Sequence, residues 1–173
     1  MAKTFTNIAS FTSGQILTAA QMNEIGTTLN NNTVPPAVRI ARTTAQSIPD
    51  ATWTIVNSYA ETFDTDGMWT AANDYIEIQT AGMYLVSCSG GFITNATGNR
   101  IGTITRNSVD IFQSSAVGQG LWYGVVGGSL LVNLAALDKI RFQVYQTRGV
   151  ALDLGADAST YGAMSAVFVG KTA

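Results

Sequence analysis

None of the 173 residues is a histidine, so the commonest general base and the most frequent zinc ligand are both missing. Ser-His-Asp and Cys-His nucleophilic arrangements go with them. What remains is carboxylate chemistry, in which two acids flank a glycosidic bond. The closest pair, Asp64 and Asp66, lies in Asp64-Thr65-Asp66-Gly67. Asp side chains ahead of a Gly form turns by bonding nearby backbone, which accounts for this pair without catalysis. The same run opens like a calcium loop, but the further oxygen ligands and the closing bidentate Glu are missing. Asp153 and Asp157 form a second loose acidic loop, equally incomplete. The expectation is a protein that is not an enzyme, with no catalytic residue, no metal site and no cofactor.

The single thiol, Cys88, falls at a period-two position of Met83-Tyr84-Leu85-Val86-Ser87-Cys88, where a small buried apolar residue is expected rather than a nucleophile. One cysteine makes no intrachain disulfide, which fits assembly in a reducing cytoplasm. Binding has more candidates than catalysis. Trp69, Trp122 and Tyr123 lie beside turns or Gly-rich bends, where ring faces could stack on sugars. Trp53 and Phe142 are assigned to the core. The stretches around Asn95 to Asn99 and from Thr147 to Asp157 read as recognition loops, with Asn95 and Asn99 as polar contacts.

These residues need a scaffold, and composition points to β structure. Apolar residues make up 46% of the chain and charged residues only 12%, about half the usual share. Thr, Ser, Asn, Gln and Gly fill the gap, and they favour strands and turns over solvated helix. A surface this poor in charge suits subunit interfaces, whose cores are depleted of charge, so an oligomer is expected. The net charge of −2 gives no electrostatic case for nucleic acid. Arg39, Arg42, Arg100, Arg106, Arg141 and Arg148 are scattered singly and read as solvated or paired. The uncharged stretch from Ala116 to Leu137 is interrupted by Gly and alternates, so it is expected to form two buried strands around a bend rather than a membrane span. The first residues have no apolar run of the signal-peptide kind.

Two parts follow along the chain. In residues 1 to 36, Thr18 and Gln21 have the spacing of a capping box, opening a helix with Met22, Ile25 and Leu29 on one narrow apolar stripe. Such a short helix needs a surface to pack on, either its own domain or sister helices. Asn30-Asn31-Asn32 and then Pro35-Pro36 are expected to stop it and form a stiff neck. From residue 37 to 173, short alternating segments are separated by turns. The clearest is Lys139 to Gln146, with Ile140, Phe142 and Val144 on one face. Eight to ten such strands fit an all-β antiparallel sandwich or jelly roll.

The segments of the second part, in order, resemble a known family. Ile48-Pro49 with Trp53, then Phe63-Asp64-Thr65-Asp66-Gly67-Met68-Trp69, then Ala81-Gly82-Met83-Tyr84-Leu85-Val86-Ser87 are similar to successive motifs of the globular heads of the complement first-component and tumour-necrosis-factor superfamily. Gly98-Asn99-Arg100, Leu134 to Ile140 and the closing Tyr161 to Phe168 continue the series. Leu137 stands where the family usually has Gly before Asp138, and the last strand carries Ala-Met-Ser where Phe-Ser-Gly is commoner. The resemblance implies a jelly roll of about ten strands that packs as a homotrimer. A second resemblance lies in Phe11, Gly14, Leu17-Thr18-Ala19-Ala20 and Asn23, which match a segment common near the start of phage tail-fibre and other virion structural proteins.

Together these imply a bacteriophage virion protein, a fibre or decoration knob assembled in the host cytoplasm. Residues 1 to 36 would attach it to other virion proteins or trimerise it, and residues 37 to 173 would form the head. Alternatives are a lectin-like head for a host surface glycan and a purely structural capsid component. Neither nucleic-acid binding nor membrane insertion is expected.

Overall fold

Strict alternation along Lys139–Gln146 decides how the sandwich closes. Every second residue of this strand is buried, and Ile140, Phe142 and Val144 are fully enclosed. The computed structural model describes residue 3 and residues 13–120, 124–155 and 162–171. Within them the chain forms one helix, α1 (Ala19–Thr33), and twelve strands. The strands are β1 (Ala37–Arg42), β2 (Gln46–Ile48), β3 (Thr54–Ile55), β4 (Tyr59–Asp64), β5 (Ile76–Glu77) and β6 (Gly82–Phe92). After these come β7 (Asn95–Arg106), β8 (Val109–Gln119), β9 (Gly124–Leu134), β10 (Lys139–Gln146), β11 (Leu152–Leu154) and β12 (Gly162–Gly170). Two more strands appear than the jelly roll of about ten that was expected; β3 and β5 are two-residue pairings on β10.

All recorded pairings are antiparallel and make two sheets. The larger runs β2-β11-β6-β12-β1-β4, with β9 on the other edge of β6. The smaller runs β3-β10-β7-β8, with β5 beside β10. Tyr84, Val86 and Cys88 of β6, Met164 and Ala166 of β12, and Val38 and Ile40 of β1 face the inner residues of β10 and β7 across the core. This is the jelly-roll sandwich that the alternating segments predict.

The helix begins as expected. The Thr18 hydroxyl accepts from the Gln21 amide at 3.3 Å, and the Gln21 side chain accepts from the Thr18 amide at 2.9 Å. It does not stop at the asparagines. Asn costs a helix only about 0.7 kcal/mol per residue, whereas Pro removes the donor and clashes with the preceding turn. So α1 continues to Thr33, and the neck shrinks to Pro35-Pro36.

Other expectations need correction. Asn95 to Asn99 is no free loop: it is the start of β7, interrupted by a register shift at Gly98 (φ +76°). A side chain there would meet the Thr147 carbonyl at 1.9 Å, which explains the glycine. The Ala116 to Leu137 stretch does form two strands, but each is half-exposed: Val117, Val125 and Leu131 are 64%, 46% and 57% accessible. Arg42 and Arg100 are neither solvated nor, among the described residues, paired with an acid. Both are buried, Arg42 donating to four backbone carbonyls and Arg100 to those of Asn99 and Asn95. Trp53, assigned to the core, is 43% exposed.

Ala51, Ser58, Asn107, Ser108 and Leu137 carry side chains in left-handed backbone, and the last three bear on the turns of the sheets. Asn107-Ser108 (φ +51° and +70°) makes the two-residue hairpin between β7 and β8, the geometry whose twist suits flanking strands. Leu137 has φ +70° and is 68% exposed, so its Cβ crowds the backbone with no burial in return. Leu137→Gly is therefore expected to raise stability by about 1 kcal/mol, read as a higher urea midpoint. A lower midpoint would mean that the leucine is covered in the native assembly.

Candidate functional site

The outer face of the larger sheet is built from the residues of β1, β12, β6 and β9 that alternation turns away from the core. Register aligns them in rows. Ala37 pairs with Val167, Val167 with Leu85, and Leu85 with Leu131, giving one apolar row across four strands. The next row is Arg39, Ser165, Ser87 and Ser129, with the two hydroxyls of Ser87 and Ser129 bonded at 2.8 Å. A third is Ala41, Ala163, Ser89 and Gly127. Leu85, Leu131, Val125 and Val169 are 43%, 57%, 46% and 58% exposed on this side.

Small residues in the middle rows leave a shallow depression of about 440 Å³, lined by Arg39, the serines and Gly127. Gly127 (φ +136°) cannot be replaced without a clash, because a Cβ would lie 2.1 Å from the Cys88 carbonyl. Its amide donates instead to the Ser114 hydroxyl at 2.8 Å. Arg39 is the one charge in the three rows, and it forms no ion pair among the described residues. A broad face with an exposed apolar row, small residues beside it and a single charge has the charge depletion of an interface core.

The helix offers a second surface. Met22 and Leu29 are 53% and 57% exposed and Ile25 is half-buried, so the stripe is not laid down on either sheet. The chain start is tied to the head nearby. The Lys3 amide donates to the Thr80 hydroxyl at 2.7 Å, and that hydroxyl donates to Asp66 at 2.7 Å. The Lys3 ammonium also donates to the Val34 carbonyl at the end of α1.

The residues nominated for chemistry are otherwise occupied. Asp64 accepts from the amides of Asp66, Gly67 and Trp69 at 3.0, 2.8 and 2.9 Å, which makes it a turn-former. Burial raises the Asp66 carboxyl above its ordinary range, opposed by the bond from Thr80. Burial likewise pushes up the Cys88 thiol, leaving it a neutral core residue. No cluster of three acidic or thiol ligands occurs among the described residues. Asp153 sits on β11, while Asp157 lies outside the described residues.

The described binding candidates, Trp69, Asn95 and Asn99, have structural roles. Trp69 is a correction: it is buried, 8% exposed, and its indole donates to the Asn73 carbonyl at 3.1 Å. Its neighbour Met68 is drawn into the core, and the Asp64 turn fixes both. Asn95 accepts from the Thr97 amide at 2.9 Å, and the Asn99 backbone is bonded to Thr147, so these residues shape the bulge in β7. Trp122 and Tyr123 lie outside the described residues. What the sequence reasoning missed is Trp53, which stacks against Tyr145 with ring centroids 5.3 Å apart on the smaller sheet. Its signal was its partner: both residues have the parity of the polar face in their strands.

No described helix is long and apolar enough to cross a membrane. No protein-family model matches the chain, and no curated protein matches it in sequence. Solved structures do. Murine APRIL, crystallised at pH 5.0, is 13% identical with a TM-score of 0.62, over 78% of this chain and 98% of that one. Eiger TNF from S. frugiperda is 9% identical with a TM-score of 0.62, over 80% and 96%. The globular domain of zebrafish complement 1qA is 12% identical with a TM-score of 0.57, over 79% and 99%. The fold is thus a jelly-roll head of the tumour-necrosis-factor and complement C1q type.

Proposed function

We propose that this chain is the head of a homotrimeric bacteriophage virion component, a fibre or decoration knob that works by binding and not by catalysis. The observation that carries the reading is the outer face of β1, β12, β6 and β9. Leaving the row Ala37–Val167–Leu85–Leu131 in water forfeits roughly 25 cal/mol for each Å² of apolar surface that a partner would cover. The occupant is further copies of the same chain. A face with a single cation offers a foreign charged partner little to recognise, and the fold is the one shared with the APRIL, Eiger and complement heads.

The virion part of the reading rests on the Phe11 to Asn23 segment and on α1. Its capped helix presents Met22 and Leu29 outward, a stripe suited to sister helices or to a neighbouring virion protein. Assembly would take place in the host cytoplasm. The alternative of a glycan-binding head gains support from the exposed Trp53 beside the half-buried Tyr145.

Light scattering of the full chain should give three times 18.2 kDa. The chain with Met22→Ser, Ile25→Ser and Leu29→Ser together should keep that mass but fail to enter particles when supplied to a phage lacking its own copy. Normal incorporation would remove α1 from the attachment role, and a monomeric parent chain would remove the trimer.

A further inference from the structure

We propose that the outer face of the smaller sheet is a platform for a neutral oligosaccharide, stacked on Trp53 and Tyr145. Register places two outward rows across β3, β10, β7 and β8. Tyr145 pairs with Ile101 and Ile101 with Ser115, and the Trp53 ring abuts Tyr145 at the near end. In the adjacent row Ile55 pairs with Gln143, Gln143 with Thr103, and Thr103 with Gln113; Thr103 itself is covered by its neighbours and donates to the Phe112 carbonyl. Four strands spaced ~4.8 Å apart make a flat strip about 14 Å wide.

The chemistry of the strip selects the ligand. Trp53 is 43% exposed and inclined at 40° to Tyr145, so the pair offers aromatic surface to solvent at one end of the strip. An aromatic face is electron-rich and attracts the weakly positive C–H edges of a sugar ring. Around it stand groups that read hydroxyls: the amides of Gln143 and Gln113, the Ser115 hydroxyl and the Tyr145 hydroxyl. None of these four side-chain groups is engaged by another described residue. Neither row holds a charged side chain.

Two cations of β10 on this face are already paired. Arg141 bonds Asp74 at 3.1 Å, Lys139 lies 3.8 Å from Glu77, and both cations sit 4.7 Å from the Tyr75 ring centre. The two rows themselves hold no charge to pair with an ionised ligand, whereas a neutral polyhydroxylated chain meets both aromatic surface and hydrogen-bonding groups. A protein partner would want a larger apolar core than one aromatic pair and two half-exposed isoleucines. Because this sheet is the opposite side of the sandwich from the proposed trimer face, the platform stands independently of that reading. In a trimer it would be displayed three times, so weak single sites would gain by avidity.

The test uses the full chain and neutral hexaoses of the cello-, malto-, manno- and N-acetylchito- series, followed by calorimetry and tryptophan fluorescence. At least one should bind saturably. Trp53→Ala should weaken it about tenfold or more, with an unchanged far-UV spectrum because the ring is half in water. Trp53→Phe should restore most of the loss, and Gln143→Ala should cost a few-fold. Failure of all four sugars to bind would overturn the proposal. So would binding insensitive to Trp53, which would put the sugar elsewhere, or a change of oligomeric mass in Trp53→Ala, which would make the face a protein interface. The mass of the parent chain, measured alongside, reports on the trimer separately.

Discussion

Leu131→Asp is expected to turn a trimer of about three chains into a folded monomer. Leu131 is 57% exposed in the chain by itself and ends the row that runs through Leu85 and Val167. If that row is an interface core, each trimer must take three carboxylates out of water, and the single cation of the face, Arg39, stands in the next row three strands away. The penalty is several kcal/mol per ion, enough to shift assembly by orders of magnitude. The substitution adds no strain to the monomer, because the side chain points away from the core. Val109→Asp supplies the comparison: Val109 is 66% exposed but sits on β8 at the hairpin end of the other sheet, and its replacement should leave the mass alone. A Leu131→Asp chain that still scatters as three copies would move the interface off this face. If both variants dissociate, general loss of solubility or fold is the cause, and the circular dichroism spectrum would show it.

The second large effect is internal. Arg42 is fully buried and has no acidic partner among the described residues, yet it is well satisfied. Its guanidinium donates to the Asn57 carbonyl at 3.3 Å, Leu154 at 3.3 Å, Gly155 at 2.8 Å and Thr44 at 2.8 Å. Those carbonyls belong to three separate stretches, so one side chain ties the edge containing β2 and β11 to β1. Gly162 makes room for it, since a Cβ there would touch the Arg42 stem at 3.0 Å. Burial lowers the Arg42 pKa, partly countered by Tyr59, and an arginine starts so high that it stays charged.

Arg42→Met keeps the volume and removes every donor, leaving the buried Leu154 carbonyl and three part-buried ones without this partner. The expected loss is about 3 to 5 kcal/mol. With a slope of roughly 2 kcal/mol per molar urea, the midpoint should fall by about 2 M at fixed protein concentration. Arg42→Lys should recover less than half, because an ammonium cannot reproduce the planar fork. A drop under about 1 kcal/mol for Arg42→Met would show that water reaches those carbonyls and that the arginine is incidental.

Much of this protein is written locally. The capping box at Thr18, the Asp64 turn, the Asn107-Ser108 hairpin and the alternation of β6, β10 and β12 depend on residues a few positions apart, and all were legible in the chain. So was the jelly roll itself, because the motifs between Ile48 and Phe168 occur in order. Leu137 shows how strong that order is: the position keeps the left-handed backbone of a glycine turn although the glycine is gone.

What tertiary structure decided is which face meets what. Period two says that alternate residues of a strand oppose each other, but it does not say which set another layer will cover. Trp53 and Trp69 have similar local settings, an aromatic near turn residues. Yet Trp69 is pulled inward by the Asp64 loop, while Trp53 rides the outer parity of β3 against Tyr145. The uncharged face is less legible still. It needs β1, β6, β9 and β12, separated by tens of residues, to arrive in one register, so that scattered Leu85, Leu131 and Val167 become a row. Arg42 and Arg100 make the same point from inside. A lone arginine reads as surface in sequence, and only the folded chain supplies the ring of backbone carbonyls that lets a charge be buried without an acid.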